Sequence, residues 1–543
     1  MLRDRTTLRN FLICLPLMAL GLYVCWGFSV DDAFITFKFS KTLVDHHSLA
    51  WNLSEPVTIV EGYTNSLWMI ILAGLYALGA DLEISAKLMG AASLAVFIYL
   101  MLAYTKYKTG SSFAAVAAAL GLLLLPPTYF HAVSCLETYF YTLMMLVLSV
   151  ITYETITVPD SRLHRFLPLA VLVAGLTRPE GILTGAVCLL VSFWSVPKHE
   201  KLRLVKSALL WLVLPGLIYM SVRYRYFGHL LPNTFYVKGN DVDAGLGWAG
   251  YTYNQISLVT GIIIAAGLLG AYNRRTALFL ALSLVMIFAP YITSNLMMDY
   301  AARFIYHYFP VMVMFAGIFL YGLLSAKIER KGFVKGIFIF AMFMSSFLFI
   351  YNEKEYKEGS FYNYSKLFFY RNNLSACHVN LAEKLRDADI PDKYKFIAIG
   401  DAGIFPLVSD WRILDIVGLC DPVIAHRGKD VYFDTTKYVL DSKPSLIATY
   451  SKSKTNDSGR LFKIQYPFIA KRYEKIGSVK YMPHTYFGMF MNPDLPYDVK
   501  AELRSQVRKA EEYADVNVIN PTGENLIKFI KKKFFIGNEP FLK

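Results

Sequence analysis

The chain has 543 residues, of which 55% are hydrophobic and only 18% charged, against about 45–50% and 25% in ordinary soluble domains. Its net charge is +14, yet the basic residues stand in short clusters between apolar runs, the positive-inside pattern of a multispanning protein. Composition and charge placement therefore argue against a soluble enzyme and against a nucleic-acid partner.

A helix needs roughly 20 apolar residues to cross the hydrocarbon core. In chain order the expected spans are 11–28, 84–105, 111–128, 138–156, 166–176, 181–196, 207–222, 250–272, 276–293, 304–325 and 333–351. The first resembles a signal peptide, but no small-residue cleavage site precedes Asp31 and many spans follow, so it reads as an uncleaved helix. The apolar stretch 66–80 is too short to span, and charge supports a juxtamembrane placement. If it crossed, the basic clusters from Lys106 onward would move to the outer face. The expected architecture is an α-helical polytopic membrane domain of about eleven spans plus a juxtamembrane helix, residues 1–351, followed by a soluble α/β domain, residues 352–543. Strand-like runs such as Phe396-Ile397-Ala398-Ile399 and Leu446-Ile447-Ala448-Thr449 carry the latter reading.

This topology gathers the unusual polar residues on one face. Asp31 and Asp32 follow the first span directly, where carboxylates are costly unless paired, solvated or functional. Glu61 lies on the same outward loop, at the foot of the 66–80 helix; two acidic sites there suit a base with an orienting group, or ligands of a divalent cation. Arg225, Asn233, Tyr236 and Lys238 sit among aromatics on another outward loop, a composition that suits a lipid-linked phosphate but also an interfacial anchor. Arg178 and Glu180 interrupt two short helices, and Asp299, Arg303 and His307 form a further cluster; either set is also readable as a structural ion pair. Among the six cysteines none has metal-binding spacing; most lie in apolar helices, and Cys377 with Cys420 is a conceivable but unsupported disulfide. No phosphate-binding loop, dinucleotide fingerprint, zincin motif or nucleophile elbow occurs, so no nucleotide cofactor is expected.

The segments Asp31-Asp32-Ala33-Phe34-Ile35, Glu61-Gly62-Tyr63-Thr64-Asn65, Thr177-Arg178-Pro179-Glu180-Gly181, Leu231-Pro232-Asn233-Thr234-Phe235-Tyr236 and Leu414-Asp415-Ile416-Val417-Gly418-Leu419-Cys420-Asp421-Pro422 resemble, in order, the polytopic GT-C glycosyltransferases related to the mycobacterial terminal β-arabinofuranosyltransferase. The resemblance implies an enzyme of the bacterial cytoplasmic membrane with its C-terminal domain outside. It would move a sugar, arabinofuranose by likeness, from a polyprenyl-phosphate donor to a glycan or glycoprotein acceptor. It also implies that Asp32, with Asp31, activates the acceptor hydroxyl or holds a divalent cation (Mg, Mn or Ca) with Glu61, and that Lys87 stands where relatives carry a basic residue. The donor phosphate and sugar would then be met by Arg178, Glu180, Arg225, Asn233, Tyr236, Lys238, Asp299, Arg303 and His307. A polysaccharide polymerase or ligase is the competing enzyme class. A transporter ranks below both, because the charges lie at one face and no repeat is visible.

Overall fold

Among the described residues six helices are long and apolar enough to cross a membrane: Arg5–Cys25, Leu82–Thr109, Thr138–Thr157, Lys198–Phe227, Phe309–Lys327 and Lys331–Ile350. The computed structural model describes residues 4–158, 161–239, 242–294, 296, 298–356, 364–427, 433–454, 460–461, 464–521, 524–525 and 528–529. Part of the sequence-predicted C-terminal domain therefore lies outside the described residues. Local chemistry sets the helix ends. Asp4 accepts from the Thr6 amide at 3.0 Å and Asp81 from the Ile84 amide at 2.8 Å, each neutralising an orphan donor of a first turn. Gly110, at φ 67°, closes the Leu82–Thr109 helix in a left-handed conformation that other side chains resist.

Several expected spans take other forms. The stretch 111–128 is broken into Ser112–Leu123 and Pro126–Val133, bent by 70°, because Pro126 and Pro127 remove the amides that would continue the helix. Spans 166–176 and 181–196 fall in short apolar helices, Leu163–Thr177 and Glu180–Ser195, packed against one another. Span 250–272 overlaps Val242–Leu268, whose first half carries Thr252, Asn254 and Gln255 and which ends four residues short of it, and 276–293 overlaps the 15-residue helix Arg274–Phe288, which ends five residues short. The stretch 66–80 forms a 12-residue helix, Ser66–Ala77, about 18 Å long at 1.5 Å per residue and so short of the ~30 Å core.

The spans align end to end in a consistent sense. Lys106 pairs with Asp4, and Lys108 with Glu154 at 2.6 Å, so the start of the first helix meets the ends of the second and third spans. At the opposite end Lys87 lies 6.0 Å over the Trp26 ring. The polar residues at 31–32, 137, 178 and 303 belong to this second end, away from the basic cluster at 106–108. The Leu82–Thr109, Thr138–Thr157 and Phe309–Lys327 helices are the interior of the bundle, whereas Lys198–Phe227 has no buried residue in its apolar window, as suits a lipid-facing helix.

Beyond the bundle, a five-stranded mixed sheet runs in the order Arg412–Asp415, Phe396–Ile399, Leu446–Ser451, Thr485–Met491, Glu474–Met482. The first three strands are parallel and the last two antiparallel. The long helix Tyr497–Asn517 packs on the last strand, its Val499, Leu503, Val507, Ala510 and Ala514 repeating at helical spacing and all buried. Cys377 and Cys420 are both buried and unpaired, so they form no disulfide.

Candidate active site

Val30 is extended (φ −103°, ψ 146°), and the helix Asp31–His46 starts directly after it. Carboxylates in a first turn are favoured by the positive end of the helix dipole. Successive helical residues point about 100° apart, so the two aspartates serve different surroundings. Asp31 is buried and accepts the Gly403 amide at 3.1 Å and the Ile404 amide at 2.8 Å, one on each oxygen. Burial and the nearby charge of Asp401 push its carboxyl above the ordinary range, while His378 and the Ile404 amide pull the other way. With both oxygens engaged, Asp31 holds the C-terminal sheet and does not face a ligand.

Asp32 faces a cavity of 420 Å³, together with Ile35 and Thr36 one turn on. Its carboxylate makes no hydrogen bond or ion pair with any described residue. Also in the wall are Arg178, Glu180, Lys238 and Arg303, which the sequence had singled out on three further segments, and Glu137, which it had not. Glu137 is the hub. Its Oε1 accepts Arg178 at 2.6 Å and Arg303 at 3.4 Å, and its Oε2 accepts the Asn65 amide at 2.7 Å. Arg178 also pairs with Glu180 at 3.0 Å, and the Tyr291 hydroxyl donates to the same Glu180 oxygen at 2.6 Å. The buried Nε atoms of Arg178 and Arg303 and the second oxygen of Glu180 have no hydrogen-bond partner among the described residues. Burial lowers the Lys238 ammonium from its ordinary range and Asp32 partly restores it. No described carboxylate forms an ion pair with Lys238.

Backbone geometry aims these groups. Arg178 is extended (φ −152°, ψ 133°) at the end of one short helix, and Pro179 begins the turn into the next. Arg303 follows Ala301 and Ala302, both left-handed at φ 49° and 52°, a conformation that costs roughly 1–2 kcal/mol per non-glycine residue. The Ala301 carbonyl meets His131 Nε2 at 2.9 Å, which helps hold the turn.

Other expected site residues lie elsewhere, for identifiable reasons. Glu61 is buried and taken by Arg223 at 2.6 Å. Burial raises its carboxyl and Arg223 opposes the shift. Among the described residues no group of three His, Cys, Asp or Glu side chains is arranged to hold a metal ion. The expected Asp32–Glu61 cation pair does not fit this arrangement, because Arg223 already holds Glu61. Asn233 donates to the carbonyls of Gly418, Leu419 and Asp421 at 2.9–3.2 Å, docking its loop on the C-terminal region. Tyr236 packs on His426 with ring centroids 4.1 Å apart, and Arg225 is exposed outside the cavity. Asp299 accepts the Trp248 indole at 2.9 Å and the Phe304 amide at 3.1 Å, so it braces the left-handed turn. His307 is buried edge-on to Tyr141. Lys87 pairs with Glu83 at 2.9 Å, and Glu83 also meets Arg371 at 3.4 Å. Glu137 had one visible signal, an acid at the very start of an apolar run, as Asp31 and Asp32 are at the end of one.

Residues 375–498 match a family model described as a domain of unknown function, DUF8728. No curated protein matches the sequence. The crystal structure of ArnT from Cupriavidus metallidurans bound to undecaprenyl phosphate is similar over 88% of this chain and 97% of that one, with a TM-score of 0.55 and 13% identity. Its apo state gives 0.51 over 89% and 97%, also at 13% identity. At such identity the likeness establishes the fold. The chain is a multi-pass membrane protein with a fold like that of ArnT.

Proposed function

We propose that the protein transfers a sugar from a polyprenyl-phosphate donor to an acceptor hydroxyl at the outer face of the bacterial cytoplasmic membrane. The observation that carries this reading is the unpartnered Asp32 carboxylate sharing one cavity with Lys238, Arg178 and Arg303. The apolar part of the wall, with Leu183, Leu231, Phe235 and Leu296, suits an isoprenoid chain. ArnT was crystallised with undecaprenyl phosphate, which supports a lipid phosphate as the ligand class. The motif likeness favours arabinofuranose as the sugar and a glycan or glycoprotein as acceptor.

In the proposed reaction Asp32 takes the proton of the acceptor hydroxyl as its oxygen attacks the anomeric carbon. The bond from that carbon to the phosphate oxygen breaks, and the electron pair leaves with the lipid phosphate. Lys238 and the two arginines meet the growing negative charge. The Glu137–Arg178–Arg303 network keeps the guanidiniums fixed before substrate arrives, so little reorganisation accompanies transfer.

The test uses purified protein, polyprenyl-phosphate sugars and loss of donor as the readout. Asp32→Asn is expected to lower turnover by about 10²–10⁴-fold, and Lys238→Ala by about 10²–10³-fold. Wild-type turnover by Asp32→Asn, or no turnover of any polyprenyl-phosphate sugar by the unaltered protein, would remove the assignment.

A further inference from the structure

Two basic segments that the chain order keeps apart meet at one carboxylate. Glu200, buried near the start of the Lys198–Phe227 helix, accepts Arg203 at 2.6 Å on that helix, and Arg165 at 3.0 Å and His164 at 3.3 Å from the loop after the Thr138–Thr157 span. Arg162, Lys198, Arg203 and Lys206 are exposed around it. No described carboxylate pairs with Arg162, Lys198 or Lys206. The helix does not present an ordinary water-facing surface here. Glu200 and Leu204, four residues apart, are its buried side. The other side carries Leu202, Val205 and Leu209, all exposed, among the cations. At 100° per residue Lys198, Leu202, Val205, Lys206 and Leu209 fall within about 100° of one another. An apolar strip flanked by cations suits the boundary between acyl chains and headgroups. Charge spacing gives the depth. Residues 207–222 carry no charge and make about 24 Å of helix at 1.5 Å per residue, against a hydrocarbon core of ~30 Å. Lys206 therefore stands at the edge of that core, with its ammonium reaching outward, and Arg203, one turn earlier, lies at headgroup level.

We infer that this surface binds an anionic glycerophospholipid, with Arg165, Arg203 and Lys206 meeting its phosphodiester and Leu202, Val205 and Leu209 lying against an acyl chain. Several Lys or Arg beside a span are the usual signature of anionic-lipid binding. Two features make this group more than diffuse charge. Glu200 already holds the Arg165 and Arg203 guanidiniums side by side, so less side-chain freedom is lost when a phosphate arrives, and a guanidinium matches two phosphate oxygens with parallel N–H donors. The apolar strip is continuous with the lipid-facing part of the same helix, which favours a lipid over a free anion. The site is separate from the cavity at Asp32. Arg165 and Glu200 stand at the feet of the helical pair Leu163–Thr177 and Glu180–Ser195, whereas Arg178 stands at its tip.

The experiment titrates full-length protein, stripped of lipid in detergent, with dioleoyl phosphatidylglycerol and dioleoyl phosphatidylcholine, and native mass spectrometry counts the bound copies. The first phosphatidylglycerol is expected to bind at least tenfold more tightly than the first phosphatidylcholine. Arg203→Gln combined with Lys206→Gln should weaken it fivefold or more, and Arg203→Lys combined with Lys206→Arg should keep most of the affinity. Both positions are exposed, so neither pair challenges folding. Arg274→Gln combined with Arg275→Gln, at another exposed basic pair, should leave the first site unchanged, and an excess of inorganic phosphate should not displace the lipid. Equal binding of phosphatidylcholine, undiminished binding by the Arg203/Lys206 glutamine pair, an equal loss in the Arg274/Arg275 pair, or displacement by phosphate would overturn the inference. Since no sugar donor is present, these outcomes are independent of whether the protein transfers sugar.

Discussion

Burial disfavours the charged form of an imidazole, yet His378 donates to Asp401 at 2.5 Å and is carried up to about 10 against the burial penalty. The Tyr450 hydroxyl donates to the same carboxylate. A histidine raised above its ordinary 6.5 contributes stability that is whole below that pH and is lost as pH rises through about 10. The melting temperature of the wild type is therefore expected to fall between pH 6.5 and 10 more steeply than that of His378→Gln; parallel slopes would show that the pair carries no such charge. At this scale the sequence was informative about residue type and poor about partners. Asp32, Arg178, Glu180, Lys238 and Arg303 were recognisable as polar groups at one face, and they do share a wall. Glu61 and Asn233 carried the same signal, but Arg223 and the 418–421 carbonyls engage them. Nothing local distinguishes the two sets, because the partners are distant in the chain.

The turn Gly403-Ile404 at the start of the helix Ile404–Ser409 is the clasp that receives Asp31. A Cβ at Gly403 would stand 2.2 Å from the Asp31 carbonyl oxygen and 2.3 Å from its carboxyl carbon. Gly403→Ala is accordingly expected to destabilise the protein by about 1–3 kcal/mol and to lower donor turnover, because Asp32 is the next residue. Thermal unfolding and a turnover assay on the same preparation check both. Helix existence was legible from apolar run length, but two departures were not. The Pro126-Pro127 pair signals a break that run length alone passes over. The left-handed Ala301-Ala302 pair has no glycine to announce it, and tertiary braces from Asp299 and His131 sustain it.

Across the whole molecule, the cavity and the sheet lie at the end of the bundle opposite Lys106 and Lys108. By the positive-inside rule the sheet is expected outside, an orientation that cysteine labelling tests. All six native cysteines are buried, which gives a quiet background for labelling. Asp494→Cys, at an exposed site beyond the sheet, should react with an impermeant maleimide in intact spheroplasts. Lys198→Cys, exposed at the start of the lipid-facing helix, should react only after permeabilisation. The opposite pattern would invert the molecule and place Asp32 on the cytoplasmic side.

The adjacency of Asp31 and Asp32 also bears on how such proteins can be recombined. One carboxylate grips the turn beside the sheet while its neighbour, a single residue later, faces the cavity. The sheet is thus not a detachable module. A chimera that grafts a foreign region onto this bundle would keep the proposed general base in register only if it brought its own equivalent of the Gly403-Ile404 clasp.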